Sequence, residues 1–561
     1  MNKLKPQLLL SLKHYSKEAL IKDLVSGVIV AIIALPLSIA LALASGVGPE
    51  QGIYTAIIAG FIISALGGSK VQIAGPTAAF ATIVAGIVAE NGMSGLATAT
   101  ILAGIMLVIM GVLQLGMLIK YIPYTITTGF TAGIAVTIVI GQLKDFFGLT
   151  FVNKPIETVD KVKEVVACFG SVNWMSVTIG CIALSILIMW PYFSKKIPGS
   201  LVAVIVTSLT VHFGKVDVNT IGDLYTISSS LPKLTMPAFD LETIIRVAPD
   251  AFTIAILAAI ESLLSAVVAD EMINSRHNSN MELVAQGVGN AASALFGGIP
   301  ATGAISRTAA NIKNGGTSPV AGMVHAAVLL LTLVLLMPYA ALIPMPCIAA
   351  ILFMVAYNMS GWRKFKAIIE KSPKSDIVVL VLTFALTVLF DLVVAIAIGM
   401  ILAVLLFMKR MTDEAEITEW DYIEDGADPN GNLRPVPEDV MVFEITGPMF
   451  FAVVDKIPHI APDETRRVLF LRMRAVPALD ITAMNSLNRL REECRNQGIK
   501  LILSHVNEQP MSVMKKSGFY MEKNARYFPA NIDEALAFAA ELVDDEESIN
   551  APPKPAPKNA P

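Results

Sequence analysis

Cysteine is scarce in this chain: four in 561 residues, Cys168, Cys181, Cys347 and Cys494, at separations that fit neither a metal site nor a redox pair. They are expected to be reduced thiols that pack as small apolar side chains. Histidine is nearly as scarce, and its 6 residues stand apart from the cysteines and carboxylates, so no metal centre is indicated. Neither a Walker-type loop nor a Gly-x-Gly-x-x-Gly fingerprint is present, which argues against direct coupling to ATP or a dinucleotide, and no cofactor is implied. Charged residues are only 16% of the chain, too few for an ordinary soluble protein. With a formal charge of -4, nucleic acid is not an expected partner. No catalytic constellation stands out, so the chain reads as a non-enzyme.

What the chain has in abundance is hydrophobic sequence, 54% of its residues, with a mean hydropathy of +0.65. Charge-free runs long enough to cross a bilayer follow one another: Leu24 to Pro49, Gln51 to Ser69, Val71 to Ala89, Asn91 to Ile119, Tyr121 to Leu143, Val165 to Ser194, and Ile197 to Phe213. After a polar segment, 214 to 250, come Ala251 to Ala269 and Leu283 to about Gly298. A half-length helix from Ala304 is next, then two spans between Gly316 and Trp362, and two between Ile377 and Met408 turning at Asp391. Each half therefore holds seven.

Basic residues test that count, because cytoplasmic connections are enriched in them. If the tail with Lys3, Lys5, Lys13, Lys17 and Lys22 lies inside, every even connection should be positive. Lys70, Lys120, Lys195 with Lys196, Arg276, Lys313, Arg363 with Lys364 and Lys366, and Lys409 with Arg410 all fall there. Short odd connections carry Glu50, Glu90, Asp391 or nothing. The expectation is an α-helical polytopic protein of the plasma membrane, with fourteen spans and both termini cytoplasmic. No cleavable signal peptide is expected, since residues 1–23 are polar and basic.

Seven spans per half set the halves in opposite orientations, the plan of many secondary transporters. Two interrupted segments correspond: Gly75-Pro76-Thr77-Ala78-Ala79-Phe80 and Thr302 to Ala310, each after a stretch that reads as extended. Two helix N-termini would then face each other near the midplane, where their unpaired N–H groups form an anion site. Glu261 lies in the middle of the eighth span, and at that depth a charge costs about 2.5 to 3.5 kcal/mol unless it is paired, protonated or functional. Ser265 sits one turn along the same face. Arg307 is the one basic residue at the site, free either to neutralise an anion or to hold Glu261. Thr77, Thr302 and Ser306 offer hydroxyls. His325 reads as a packed, satisfied histidine.

Beyond Arg410 the composition changes. Residues 411–436 are an acidic, polar linker. From Pro437 the pattern is soluble α/β: strands at Val440 to Ile445, Val468 to Leu471 and Lys500 to Val506, a helix from Ile481 to Asn496, and shorter helices near Gln509 to Ser517 and Ile532 to Leu542. A Pro-rich end closes the chain.

Several stretches together resemble the SulP family of anion permeases with its sulfate-transporter and anti-sigma-factor-antagonist (STAS) domain. These are Ala34-Leu35-Pro36-Leu37 with Gly52-Ile53-Tyr54-Thr55, Gly75-Pro76-Thr77, Glu261 to Asp270, Ser306-Arg307-Thr308 and Gly315-Gly316-Thr317-Ser318-Pro319. The resemblance implies a segment 1–23, a transport domain 24–410 built as a 7+7 inverted repeat of core and gate, the linker 411–436, a cytoplasmic STAS domain 437–546 and a disordered tail 547–561. It implies a homodimer, elevator-like alternating access, and a small anion held at Thr77, Ala78, Gly303, Ala304, Ile305, Ser306 and Arg307, with Leu37 and Leu41 lining the pocket. Glu261, with Ser265, matches the ion-coupling position. Sodium-driven bicarbonate relatives tend to carry Asp there, so the coupling ion is expected to be a proton, with sodium as the alternative. Ala309-Ala310-Asn311 and Asn358-Met359-Ser360 are similar to bacterial C4-dicarboxylate uptake proteins, which makes succinate or fumarate the expected substrate and bicarbonate or sulfate the alternative. In the cytoplasmic domain, Leu479-Asp480-Ile481-Thr482-Ala483 matches a turn that carries a phosphorylatable Ser or Thr in anti-sigma antagonists. Thr482 is then a candidate switch toward a cytoplasmic protein partner, or Asp480 and Thr482 simply cap the helix that follows. A membrane-anchored sensor acting through this domain is the reading from another class.

Overall fold

The computed structural model describes residues 4–117, 123–153, 155, 157–194, 197–225, 227–237, 240–390, 392–419, 439–450 and 466–550. The chain divides into two compact units, Met1–Ile401 and Leu402–Pro561. Lys120, Lys195, Lys196, Asp391, most of the expected linker and residues 551–561 lie outside the described residues.

The first unit is helical. A short α1 (Gln7–Ser11) precedes α2 (Lys17–Ala44), whose first turn is capped by Ser16. The chain turns back through α3 (Pro49–Leu66), and residues 67–77 then leave the helix, with β1 at Ala74–Gly75. A 3-10 turn, Ala78–Phe80, opens into α4 (Ala81–Val112), which is two helices joined at Gly92, where φ is 64°. There follow α5 (Tyr124–Phe147), α6 (Thr158–Ala167), α7 (Trp174–Phe193), α8 (Gly199–Gly214) and the short α9 (Ile221–Leu224). The second run is α10 (Leu241–Ile273), α11 (Ser279–Leu295), β2 (Thr302–Gly303), α12 (Ile305–Lys313), α13 (Val320–Leu336), α14 (Met345–Ser360), α15 (Trp362–Lys371), α16 (Lys374–Leu389) and α17 (Leu392–Asp413).

Among the described residues, nine helices are long and apolar enough to cross a membrane. The fourteen runs of the sequence outnumber them because the two helices that meet at Gly92 count as one, α8, α11 and α16 have 16, 17 and 16 residues, and α12, with nine, cannot cross alone. Two boundaries also move. The first span begins inside the segment expected to be polar, at Lys17, and the helix of Glu261 starts at Leu241 rather than Ala251.

The two runs interlock. Helices α10 and α11 pack on α4, α13 packs on α2 and α3, and α12 sits between α10 and α2, while α14 and α16 pack on α5. Outward-facing side chains such as Tyr192, Phe193 and Phe213 are exposed, as a lipid-facing surface requires.

The second unit holds a four-stranded sheet in the order β3 (Glu416–Glu419), β4 (Val440–Thr446), β5 (Val468–Ala475), β6 (Lys500–Ser504), with β3 antiparallel and the rest parallel. Alternation along the strands builds two cores. Val440, Val442, Phe470 and Ile502 meet Ala535 and Ala539 of α20 (Ile532–Asn550), whereas Leu469, Leu471 and Leu503 meet Met484, Leu487 and Leu490 of α18 (Ile481–Asn496) and Met514 of α19 (Glu508–Lys516). Strand β3 falls where a linker is expected; its Glu-Ile-Thr-Glu sequence is short, polar and mostly exposed, as an edge strand is. Helix α20 runs to Asn550, past the expected start of the tail.

Candidate functional site

The two interrupted segments meet. Strands β1 and β2 pair antiparallel, Ala74 opposite Gly303 and Gly75 opposite Thr302. From this two-stranded bridge the chain enters helix at Ala78 on one side and at Ile305 on the other, with Thr77 and Ala304 as the residues before each first turn. No side chain caps either start. Both beginnings thus present N–H groups that no side chain caps, at the positive end of their helix.

Extended backbone inside a membrane unit must have its polar groups satisfied by neighbours. The side chains that do this come from α3, α10, α11 and α12. Asn290 pairs with both backbone groups of Ala301, accepting its N–H at 2.7 Å and donating to its carbonyl at 2.9 Å, as a neighbouring strand would. Thr55 accepts the Ile299 N–H at 2.7 Å, and Ser262 accepts the Gly303 N–H at 2.9 Å. On the β1 side, Thr308 accepts the Ile73 N–H and Asn311 donates to the Val71 carbonyl. Glu282, fully enclosed, accepts from Gly68 N–H, Ser69 N–H, Gln72 Nε2 and Gln286 Nε2 at 2.9 to 3.2 Å.

Glu261 is part-buried on α10 and reaches both interrupted segments. Its Oε2 accepts from Thr77 Oγ1 at 2.9 Å and lies 3.3 Å from Thr302 Oγ1. Thr302 also donates to the Gly303 carbonyl at 3.0 Å. Arg307, 2% exposed, turns the other way: its Nη2 donates to the Pro76 carbonyl at 3.1 Å and to Ser38 Oγ at 3.4 Å. Among the described residues no ion pair joins Arg307 to Glu261, so of the two roles left open for Arg307, locking the carboxylate is not the one observed.

The other expected residues divide. Ala78, Gly303 and Ala304 are buried at the helix starts, whereas Ile305 and Ser306 are exposed on the first turn of α12. Leu37 is part-buried and Leu41 buried, on the helix that also carries Ser38. Ser265 does not reach Glu261; its hydroxyl is 3.5 Å from Thr308. His325 is buried as expected but not satisfied, since neither ring nitrogen has a hydrogen-bond partner among the described residues. In the second unit Asp480 caps α18 by accepting the Ala483 N–H at 2.8 Å, and Thr482 is exposed on the first turn.

Reading the sequence missed Asp23 and Glu282. Asp23 is fully buried and accepts from Tyr15 OH and from the backbone and hydroxyls of Thr317 and Ser318, tying α2 to the loop after α12. Glu282 had a signal. With Gln286 and Asn290 it forms a polar stripe at four-residue spacing on an otherwise apolar helix.

With this geometry in view, comparison with known proteins is informative. A profile of the Sulfate permease family matches residues 20–383, and one of the STAS domain matches residues 434–535. The Bacillus subtilis protein named "Putative sulfate transporter YvdB" is 40% identical over 527 residues, covering 93% of this chain and 98% of that one. The bicarbonate transporter BicA of a Picosynechococcus species is 31% identical over 498 residues, covering 84% and 86%. The murine anion transporter Solute Carrier 26 family member A9 shares the fold, with a TM-score of 0.86 at 19% identity over 96% of this chain and 94% of that one. The two bacterial relatives carry sulfate and bicarbonate names, so the expected likeness to C4-dicarboxylate carriers is not upheld. Asn311, part of the motif that suggested it, is engaged in bracing β1 and accepting from Ser26. Half-helix bridge, carboxylate and STAS sheet agree with the sequence match: the chain belongs to the Sulfate permease family.

Proposed function

We propose that the chain carries a small inorganic oxyanion of the sulfate or bicarbonate kind into the bacterial cell, by elevator-like alternating access, coupled to a cation taken up at Glu261. The anion sits between the starts of α4 and α12, where Ala78, Gly303 and Ala304 are small enough for an oxyanion to approach the backbone N–H groups. Thr77 and Ser306 add hydroxyls at the rim, Leu37 and Leu41 line the apolar side, and Arg307 supplies a fixed positive charge.

The observation that carries the reading is the contact of Thr77 and Thr302 with one oxygen of Glu261. A carboxylate that touches both interrupted segments links its own charge state to the geometry of the anion site. Thr302 has a single proton, and its shorter bond is to the Gly303 carbonyl. A protonated Glu261 that donates to Thr302 while accepting from Thr77 satisfies every group, which favours a proton over sodium as the coupling ion.

The test is uptake of radiolabelled sulfate and bicarbonate into proteoliposomes under separate proton and sodium gradients, with Glu261→Gln beside the intact protein. Proton-driven accumulation that is lost in Glu261→Gln is the expected result. Accumulation driven by sodium alone would reassign the ion, and no uptake of either anion by correctly inserted protein would sink the reading. The homodimer implied by the resemblance belongs to the same proposal and is checked by the mass of the solubilised protein.

A further inference from the structure

Three buried groups of the membrane unit, Arg307 Nη1, the two ring nitrogens of His325 and Ser64 Oγ, have no hydrogen-bond partner among the described residues. Their side chains are 2%, 0% and 4% exposed. Neighbouring glycines show where they lie. A Cβ placed on Gly75 would meet Arg307 Nη1 and fall 3.7 Å from Ala56 Cα. One on Gly60 would lie 3.9 Å from His325 Nδ1 and 3.2 Å from the Ala74 carbonyl oxygen. One on Gly322 would meet Ser64 Oγ and come within 3.3 Å of the Ile73 side chain. Ala56, Gly60 and Ser64 occupy successive turns of one face of α3, about 6 Å apart. The three orphan groups thus lie along the seam between α3, α13 and the back of residues 73–75.

Left dry, each such group would bear its full desolvation cost with nothing to offset it, the guanidinium most of all. An internal water with two to four polar partners is the usual remedy. The donors and acceptors match: Arg307 Nη1 only donates, a neutral imidazole offers one donor and one acceptor, and a serine hydroxyl does both. One water accepts from Arg307 and donates to the bare nitrogen of His325; a second accepts the imidazole N–H and joins Ser64. The remaining hydrogen bonds of Arg307, to the Pro76 carbonyl and Ser38, are to neutral groups.

We propose that Arg307 is solvated from behind the two-stranded bridge by internal waters held by His325 and Ser64, with His325 as a positioning residue, so that the charge of Arg307 stays uncompensated toward the anion. This rests on the anion-site reading above, and it explains how a buried cation is kept without a carboxylate beside it.

The test uses the full chain in lipid. His325→Asp puts a carboxylate one water away from Arg307, and the KM for the transported anion is expected to rise at least about tenfold while the protein stays folded. His325→Leu is expected to raise KM and lower the melting temperature, and His325→Asn, which keeps a donor and an acceptor, to restore both. A readout independent of transport is water-edited solid-state NMR of 15N-histidine-labelled protein, in which the His325 ring should receive magnetisation from water. A His325 ring without water contact, or an unchanged KM in folded His325→Asp, overturns the proposal. If the intact protein takes up no anion, the anion-site reading falls, and the NMR result alone decides the solvation of Arg307.

Discussion

Gly75 lies so close to Arg307 that a single added methyl group would overlap the guanidinium. Any side chain at position 75 would have to displace Arg307 Nη1, and with it the bonds of Nη2 to the Pro76 carbonyl and Ser38. Gly75→Ala is expected to destabilise the protein by about 1 to 3 kcal/mol through overpacking and to slow uptake. Arg307→Lys keeps the charge and removes the overlapping nitrogen. In the double variant the two losses should then be less than additive, measured as uptake rate and melting temperature for all four proteins of the cycle. Strictly additive losses would show that the contact is incidental.

Asp23 and Glu282 are each acceptor-only groups surrounded by donors, five bonds at Asp23 and four at Glu282. An amide of the same shape would turn one oxygen into a donor facing other donors. Asp23→Asn and Glu282→Gln are expected to cost about 2 kcal/mol or more each, read as lower melting temperatures in detergent, since buried groups lose partners without gaining new ones. Melting temperatures equal to the parent's would mean these carboxylates are not the staples described.

The same two residues show what sequence reading can and cannot reach. The apolar runs, the broken segments at Gly75-Pro76 and Thr302, and the buried charge of Glu261 were legible because each is a local pattern with a physical cost. The pairing of Ala74 with Gly303 is not local, and neither is the meeting of Asp23 with Thr317 and Ser318. A carboxylate at the edge of an apolar run reads as a loop residue until its partners from the other half are seen. His325 failed differently: burial was expected, and only its neighbours reveal the missing partners. Strand β3 was lost to composition, because an edge strand need not be apolar.

Cys494 packs in the core of the second unit, where burial, with the charge of Glu493, pushes its thiol up to about 11. At pH 8 its thiolate is then about a thousandfold less abundant than its thiol. Maleimide should leave Cys494 unlabelled in the folded protein and label it on addition of denaturant, as followed by peptide mass. The linkage has a definite sign: between about pH 8.5, the ordinary cysteine value, and 11 the unfolded chain releases a proton that the folded unit retains, so stability falls as pH rises through that window. Cys494→Ala should flatten that slope, and an unchanged slope would place its cause elsewhere.

Asp480 and Thr482 separate two uses of one helix start. Asp480 accepts the Ala483 N–H and places a negative charge at the positive end of α18. Asp480→Ala should therefore cost about 1 kcal/mol in the melting of this unit. Thr482 is exposed, and among the described residues no hydrogen bond of its side chain bears on the cap, so Thr482→Ala should change the stability of this unit by less than about 0.5 kcal/mol. A phosphate on Thr482 would gain from the helix start yet meet the carboxylate of Asp480 there, and like charge opposes it. If Thr482 is a switch, Thr482→Glu must change either the uptake rate or the capture of a cytoplasmic partner while Thr482→Ala does not. Equal uptake and equal partner capture in both variants would leave this turn as a capped helix start with no regulatory part.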